Sequence, residues 1–306
     1  MTGPRPTLLL ARGILPRASA FRARALDGGA GLLVGGGRVL EVARGGGAAR
    51  RLVTRHDPRI RDLGDVVLLP GLVNAHAHLE LGPLAGRLPA DEGFPAWVGA
   101  LLRARAGLTF DAHVAGARRG LARALATGTT TLGDIDSTGA VLAAAPGPPR
   151  PRLRVYREVL DAWDPGRTSE ALARLDEPLA EGARLGEGYS PHAPFTTSRA
   201  LLAGVARRAR RRVRPLAVHW SESEDELAWL ESGEGGFAPV LGPGPGARGP
   251  DLLDDAGLLG PDLTLIHGNL PRPGEVRRIA EAGASLVHCP GTHRFFDRPA
   301  FPLARY

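Results

Sequence analysis

An α/β fold whose main domain is a TIM-type (β/α) barrel is predicted from two features of the sequence. After residue 67, seven apolar strand candidates alternate with helix candidates of amphipathic pattern. Repeated β–α units imply a parallel sheet, and seven or eight such units favour a barrel over an open sheet. Before that point, short apolar runs separated by glycines predict a small β-rich domain, which we expect to be a β-sandwich. The expected domains are therefore 1–66 and 67–306.

The individual elements are predicted from local patterns along the chain. Three short strands are expected in the first domain, at residues 7–10, 31–34 and 39–42. Seven barrel strands are expected at residues 68–74, 129–135, 152–160, 185–190, 213–219, 263–267 and 284–288. Helices are expected at residues 94–105, 112–126, 169–182, 198–211, 223–230 and 274–282. The first barrel strand is apolar along its length, which predicts burial on both faces.

The composition excludes several classes of function. All 39 basic residues are arginines, so Schiff-base chemistry and a metal pair bridged by a carboxylated lysine are not available. The single cysteine, Cys289, excludes a disulfide within the chain. A zinc site would therefore use histidine and carboxylate ligands. We expect Cys289 itself to be a buried, unreactive thiol, since free cysteine is among the most buried residue types.

Charge and hydropathy limit the expected partners and location. The isoelectric point is near 10.8, but the arginines are interspersed with acids and no nucleic-acid-binding motif accompanies them. We therefore expect no nucleic-acid partner. No apolar run is long enough to span a membrane, so no membrane partner is expected either. The short apolar run near the N-terminus does not match a secretion signal, which predicts a cytoplasmic location.

Histidines recur where the predicted barrel strands end. Seven of the nine histidines lie at or just past such an end: His76, His78, His192, His219, His267, His288 and His293. Barrel enzymes place their catalytic groups at the carboxyl ends of the strands. His76 and His78 are two residues apart, and side chains with that spacing in a strand project to the same face. Both imidazoles can therefore reach one metal ion, and their shared placement indicates a metal site.

Glu222 follows His219 in the segment HWSE and allows two interpretations. A carboxylate beside an ion can take a proton from water and return it to a leaving group. The segment from Ser221 to Glu226 also has the pattern of a capped, acid-rich first turn of a helix, in which Glu222 would only favour helix formation. The local sequence does not decide between the two.

The motifs LLPGLVNAHAHLEL, SPHAP, HWSESEDEL, IHGNL and HCPGTHRFF together resemble the amidohydrolase superfamily. They are most similar to its branch of nucleobase deaminases and chlorohydrolases, which includes aminodeoxyfutalosine deaminase. The resemblance covers nearly the whole chain. It implies a metal-dependent hydrolase of carbon–nitrogen bonds other than peptide bonds. The expected reaction is deamination of an aminated, purine-type small molecule by a metal-bound hydroxide. The resemblance also allows a homo-oligomer.

The resemblance also implies roles for individual residues. One divalent ion, with zinc as first choice and iron as second, would be bound by His76, His78 and His219. Glu222 would transfer protons, and His267 would hold or polarise the hydroxide or substrate. The expected substrate-binding residues are His192, Trp97 and His293, although a packing role for Trp97 is an equal alternative. Glu158 matches an acid of the third strand, for which a structural hydrogen-bonding role is expected.

One feature departs from the family pattern. The family has a further metal ligand, an aspartate within a G-T-D-S stretch at the eighth strand, and this sequence contains no such stretch. Asp297 lies in a loop before a proline and is a poor substitute. We therefore expect an incomplete barrel that lacks its eighth strand. The alternative function is a truncated, non-catalytic remnant or a fragment of an interrupted amidohydrolase gene.

Overall fold

The computed structural model describes residues 5–15, 29–88, 92–146, 150–177 and 185–306. The chain forms two compact units, Met1–Leu72 and Val73–Tyr306. The predicted division after residue 66 falls near the end of the first unit. Among the described residues, no helix combines the length and the apolarity that a membrane crossing requires.

The described part of the first unit contains a four-stranded sheet covered by one helix. Its elements are β1 Thr7–Ala11, β2 Gly13–Ile14, β3 Ala30–Gly35, β4 Arg38–Arg44, α1 Gly46–His56, β5 Arg59–Asp62 and β6 Val67–Leu68. The strand order is β4-β3-β1-β5, and β2 pairs separately with β6. Helix α1 buries Ala49 and Leu52 against Leu8 and Leu33 of the sheet. The sequence patterns predicted β1, β3 and β4 but neither β2, β5 nor α1, and the β-sandwich stays a prediction.

The second unit contains seven strands in a single parallel sheet. These strands are β7 Leu72–Ala77, β8 Thr129–Asp136, β9 Arg152–Val159, β10 Leu185–Pro191, β11 Leu216–Trp220, β12 Leu263–His267 and β13 Ser285–Val287. Their order in the sheet is their order in the chain. In a flat sheet, the first and sixth strands would lie about 24 Å apart. The rings of His76 on β7 and His267 on β12 are 5.9 Å apart, so the sheet curls into a nearly closed barrel.

Helices connect these strands, as the predicted alternation requires. They are α2 Phe94–Ala106, α3 Phe110–Ala126, α4 Ala140–Ala144, α5 Pro165–Asp176, α6 Arg199–Arg212, α7 Glu224–Ser232, α8 Ala238–Leu241, α9 Gly249–Asp255, α10 Glu275–Glu281 and α11 Pro290–Phe295. Short 3₁₀ helices cover Leu79–Leu84 and Leu303–Arg305. The helix predicted at residues 169–182 corresponds to α5, and the end of that prediction lies outside the described residues. The predicted α/β class with a parallel barrel is confirmed.

The strand predicted at residues 68–74 is wrong in two respects. It is divided between β6 and β7 around Pro70, which has no N–H to donate to a neighbouring strand. The start of β7 is also exposed rather than buried on both faces, with Leu72 at 58% and Val73 at 68%. Within the described sheet, β7 is an edge strand, so an apolar sequence there does not imply two covered faces.

Helix α6 shows how the apolar pattern builds the barrel wall. The Ser198 side chain caps its first turn by accepting a hydrogen bond from the Leu201 N–H. Leu201, Leu202 and Val205 then enter the apolar cluster that contains Val218 of β11. The helix packs against β10, the neighbour in the sheet of the strand that carries His219.

Replacement of Leu201 by alanine is expected to lower the free energy of unfolding by about 2–5 kcal/mol, because a fully buried leucine leaves a cavity. Urea unfolding followed by circular dichroism measures this change. Val240→Ala is the control, because Val240 is 82% exposed and its loss should change stability by less than about 0.5 kcal/mol. Equal effects of the two substitutions would contradict the packing described for α6.

Candidate metal centre

Three imidazoles meet at the carboxyl ends of strands β7 and β11. His76 is the last but one residue of β7, His78 follows the end of that strand directly, and His219 is the last but one residue of β11. One ring nitrogen from each lies within 4.8 Å of the other two. The Nε2 atoms of His78 and His219 are 3.2 Å apart. Ligand nitrogens around a tetrahedral zinc ion are about 3.3 Å apart, so the separation of His78 and His219 is that of two zinc ligands.

The protonation of these imidazoles also suits an ion. The Nδ1–H of His219 donates a hydrogen bond to the main-chain carbonyl oxygen of His192 at 2.8 Å. The lone pair of Nε2 is therefore free to bind an ion. Burial, followed by the effect of neighbouring His192, lowers the pKa of His219 to about 4. Burial also holds the pKa values of His76 and His78 well below the usual value. His76 Nδ1 is buried without a hydrogen-bond partner among the described residues. Neutral imidazoles with free nitrogens are what a divalent ion requires.

His267 is held beside this group by an unusual backbone conformation. It ends β12 with a φ of 80°, in the left-handed region that a residue with a side chain rarely adopts. Its ring lies 5.6 Å from that of His219. Its Nε2 is 3.4 Å from Oε2 of Glu222. The fold therefore places an imidazole and a carboxyl group together next to the three histidines.

Glu222 lies just outside helix α7 and is free of the capping role. Ser223 is the N-cap and accepts a hydrogen bond from the Glu226 N–H. Glu226 in turn accepts hydrogen bonds from the main-chain N–H groups of Ser221 and Glu222, each at 2.8 Å. The capping pattern read from the sequence is thus carried by Ser223 and Glu226. Glu222 instead directs its buried carboxyl group toward His267.

Burial raises the pKa of Glu222 to about 8, although the nearby Arg298 opposes this shift. In metal-free protein, Glu222 keeps its proton as pH rises, while in the unfolded chain it ionises near 4.5. The group therefore reduces stability progressively from about pH 4.5 to pH 8. Glu222→Gln removes this penalty, so its stability advantage over the wild type should be about 2 kcal/mol larger at pH 8.5 than at pH 6. Urea unfolding at both values tests this, and an advantage that does not grow with pH would contradict it.

His192 and Glu158 complete the inner face on the opposite side of His219. The rings of His192 and His219 are 4.8 Å apart. His192 Nδ1 is 2.6 Å from the Thr196 hydroxyl oxygen. A nitrogen of His192, a nitrogen of His219 and a carboxylate oxygen of Glu158 lie within 4.8 Å of one another. Glu158 Oε1 has no hydrogen-bond partner within the described ranges, and burial raises the pKa of Glu158 to about 7. A structural hydrogen-bonding role was expected for Glu158, but its Oε1 atom makes no hydrogen bond within the described ranges and is free at the site.

The family follows from comparison of the sequence with known families. A model of the amidohydrolase family matches residues 67–304, which include every residue described above for the metal centre. The chain belongs to the amidohydrolase family. This confirms the resemblance inferred from the five motifs, and it accounts for the shared placement of the histidines at strand ends.

Similar curated proteins carry deaminase names. The chain is 31% identical over 242 residues to 5-methylthioadenosine/S-adenosylhomocysteine deaminase of Halobacterium salinarum, which covers 76% of this chain and 53% of that protein. It is 31% identical over 271 residues to aminodeoxyfutalosine deaminase of Deinococcus radiodurans, covering 78% of this chain and 61% of that protein. The chain thus spans about half to three fifths of the length of these relatives.

Solved structures of other amidohydrolases share the fold. Helicobacter pylori aminofutalosine deaminase in complex with methylthio-coformycin gives a TM-score of 0.78 at 19% identity, covering 97% of this chain and 73% of that chain. Atrazine chlorohydrolase of Arthrobacter aurescens, complexed with zinc, gives 0.75 at 18% identity, covering 98% and 69%. At these identities the likeness concerns the fold alone.

The described contacts of two predicted site residues, Trp97 and His293, are with groups other than the histidines of the metal centre. Trp97 packs in an aromatic cluster, with its ring 6.2 Å from Phe94 and 5.1 Å from Phe296. His293 has both ring nitrogens engaged, Nδ1 at 3.2 Å from Asn269 Oδ1 and Nε2 at 2.6 Å from the Pro299 carbonyl oxygen. Their roles in substrate binding stay predictions.

Sequence reasoning missed three neighbours of the site. The Asn269 side chain donates to the Glu222 carbonyl oxygen at 3.2 Å and so links the IHGN and HWSE segments. The Cys289 thiol lies within 4.8 Å of nitrogens of His76 and His267, and burial raises its pKa to about 11. Arg298 lies 3.9 Å from Glu222. Its position inside the aromatic run FFDRPAF was the available signal.

Proposed function

We propose that this chain is a metal-dependent hydrolase that deaminates an adenosine-like nucleoside. The observation that carries the proposal is the convergence of three imidazoles with the Glu222–His267 pair at one end of the barrel. The deaminase names of the relatives support an adenosine-like substrate over other carbon–nitrogen compounds. We also propose that the barrel is a TIM-type barrel without its eighth strand, preceded by a small β-sandwich domain.

In the proposed mechanism, His76, His78 and His219 bind one divalent ion. Such an ion would lower the pKa of a water molecule and polarise the carbon under attack. The zinc in a structural relative supports zinc as the metal. The donor set agrees, because catalytic zinc sites use three protein ligands and leave a position open.

The remaining steps belong to the residues of the chain. Glu222 takes a proton from the attacking water and gives it to the amino group, which leaves as ammonia when its bond to the ring carbon breaks. His267 lies within 3.4 Å of Glu222 and orients the water for attack. His192 binds the nucleoside with its second ring nitrogen, because its first nitrogen is held by Thr196. Burial of all three groups excludes bulk water from the proton transfer.

The test measures the release of ammonia from adenosine, 5′-methylthioadenosine and S-adenosylhomocysteine by the zinc-loaded protein. A coupled enzyme assay detects the ammonia. We expect release from at least one of these nucleosides and none from protein treated with a chelator. Protein that binds zinc and a nucleoside but releases no ammonia would reject the proposal in favour of the non-catalytic alternative.

A further inference from the structure

A second group of metal-binding side chains lies beside the three-histidine centre. His76, His267 and Cys289 each offer one ligand atom, and these three atoms lie within 4.8 Å of one another. His76 is on β7, His267 ends β12, and Cys289 follows β13. The barrel therefore brings one thiol and two imidazoles together from three separate strands. These three residues form the thiol set.

The members of the thiol set are held in place by the fold. The sulfur of Cys289 accepts a hydrogen bond from the main chain of His267, which keeps it beside that residue. The carbonyl oxygen of Cys289 accepts a hydrogen bond from the His293 N–H at 2.9 Å, which fixes its backbone. The Nδ1 atom of His76 is buried and has no hydrogen-bond partner among the residues that the structure describes. The set thus combines an ordered thiol with an imidazole nitrogen that the protein leaves unused.

The donor types and their spacing indicate a soft metal ion. Thiolates select soft ions, and a trigonal group of two histidines and one cysteine is typical of copper. With bonds of about 2.0 Å to nitrogen and 2.3 Å to sulfur, a trigonal ion holds its ligand atoms about 3.5–3.7 Å apart. Side-chain movements of about an ångström therefore close the set around an ion. The apolar cluster of Ile135, Ala217 and Ile266 packs against the cysteine and provides the dry surroundings that favour a metal–sulfur bond.

We propose that the thiol set binds one copper(I) ion and that copper at this position inhibits the hydrolase. The sulfur binds as thiolate, and its proton passes to solvent. His76 belongs to both donor sets, so copper competes with the catalytic ion for it. The same copper ion takes His267 away from Glu222, which lies 3.4 Å from it. The inhibition rests on the proposed function, whereas the binding of copper does not.

The test is a titration of the chelator-treated chain with copper(I) under an inert atmosphere. Cys289 is the only cysteine of the sequence, so the ultraviolet charge-transfer band between thiolate and copper reports on this residue alone. We expect the band to grow until one copper ion is bound per chain and to be absent in Cys289→Ser. His267→Ala should lower the affinity by more than about tenfold, as measured by competition with a copper(I) chelator. His56→Ala is the matched control, because His56 is an exposed histidine of the first unit and should leave the affinity unchanged.

Three results of the titration would reject the copper site. The first is a wild type without the band, and the second is an unchanged affinity in His267→Ala, since the thiol would then bind copper without the set. The third is loss of the band in His219→Ala, because the ion would then belong to the three-histidine centre. Cys289→Ala retains the test if Cys289→Ser does not fold.

The inhibitory role is tested separately by ammonia release from the zinc-loaded protein. Cys289→Ser should release ammonia at the wild-type rate without copper and should no longer be inhibited when copper(I) is added. Inhibition that persists in this variant would contradict the role given to the thiol set. The charge-transfer band needs no turnover, so a failure of the copper site and a failure of the proposed function give different results.

Discussion

Replacement of Glu222 by glutamine is expected to lower kcat by about 10²- to 10⁴-fold while zinc binding stays nearly unchanged. Glutamine has the same shape as glutamate, so its side chain can occupy the same place, 3.4 Å from His267. It cannot accept a proton from water and pass it to the leaving amino group. Steady-state kinetics and metal analysis of the same preparations measure both parts of this expectation.

The control for this prediction is Glu224→Gln. Glu224 is in the first turn of α7, and its side chain is 64% exposed, so its loss should leave kcat within about twofold of the wild-type value. Full activity of Glu222→Gln would reject the proton-transfer role and would restore the helix-start interpretation of this acid. Loss of zinc in the same variant would instead assign Glu222 to the metal site.

Replacement of His219 by alanine is expected to weaken zinc binding by more than about 100-fold. Loss of a residue that only orients a ligand costs about 10- to 100-fold, and loss of a ligand costs more. The variant should therefore lose its metal on dialysis and should show no rise in melting temperature when zinc is added. Competition with a chromophoric chelator gives the affinity.

His56→Ala is the matched control for His219→Ala. His56 ends helix α1 in the first unit and is exposed, so its removal should leave zinc binding intact. If His219→Ala binds zinc as tightly as the wild type, the three-histidine site is wrong. The pair His76 and His267 with Cys289 would then be the next donor set to test, since their ligand atoms also lie within 4.8 Å.

The parts of the fold that local sequence patterns specify were predictable. Strands β8 to β13 and the helices α5, α6, α7 and α10 between them follow from apolar runs and from caps such as Ser198 and Ser223. The short helices α4, α8 and α9 were not predicted. The positions of His76, His78 and His219 were predictable as well, because strand spacing and strand ends determine where side chains converge. Helix α1 was missed because glycines and a β-branched pair obscure its apolar spacing at Ala49, Leu52 and Val53.

Properties that depend on contacts across the chain were not predictable. The exposure of β7 depends on which strand lies beside it, and an apolar run does not carry that information. Glu222 is separated from the capping role only by the hydrogen bonds of Glu226. Arg298 acquires its aromatic neighbours from Phe94, which is about two hundred positions away in the chain. The run FFDRPAF signals the contact with Phe296, but nothing local in the sequence signals the contact with Phe94.

The left-handed backbone at His267 has a consequence for attempts to make this protein more robust. A residue with a side chain in this conformation costs about 1–2 kcal/mol, which the surrounding fold must supply. Glycine or asparagine adopts the same backbone conformation at a lower cost in free energy. A screen for heat-resistant variants would therefore be expected to select substitutions at this position. Such variants would be more heat-resistant but would lack the imidazole of His267. At position 267, a gain in stability would therefore come with a loss of activity.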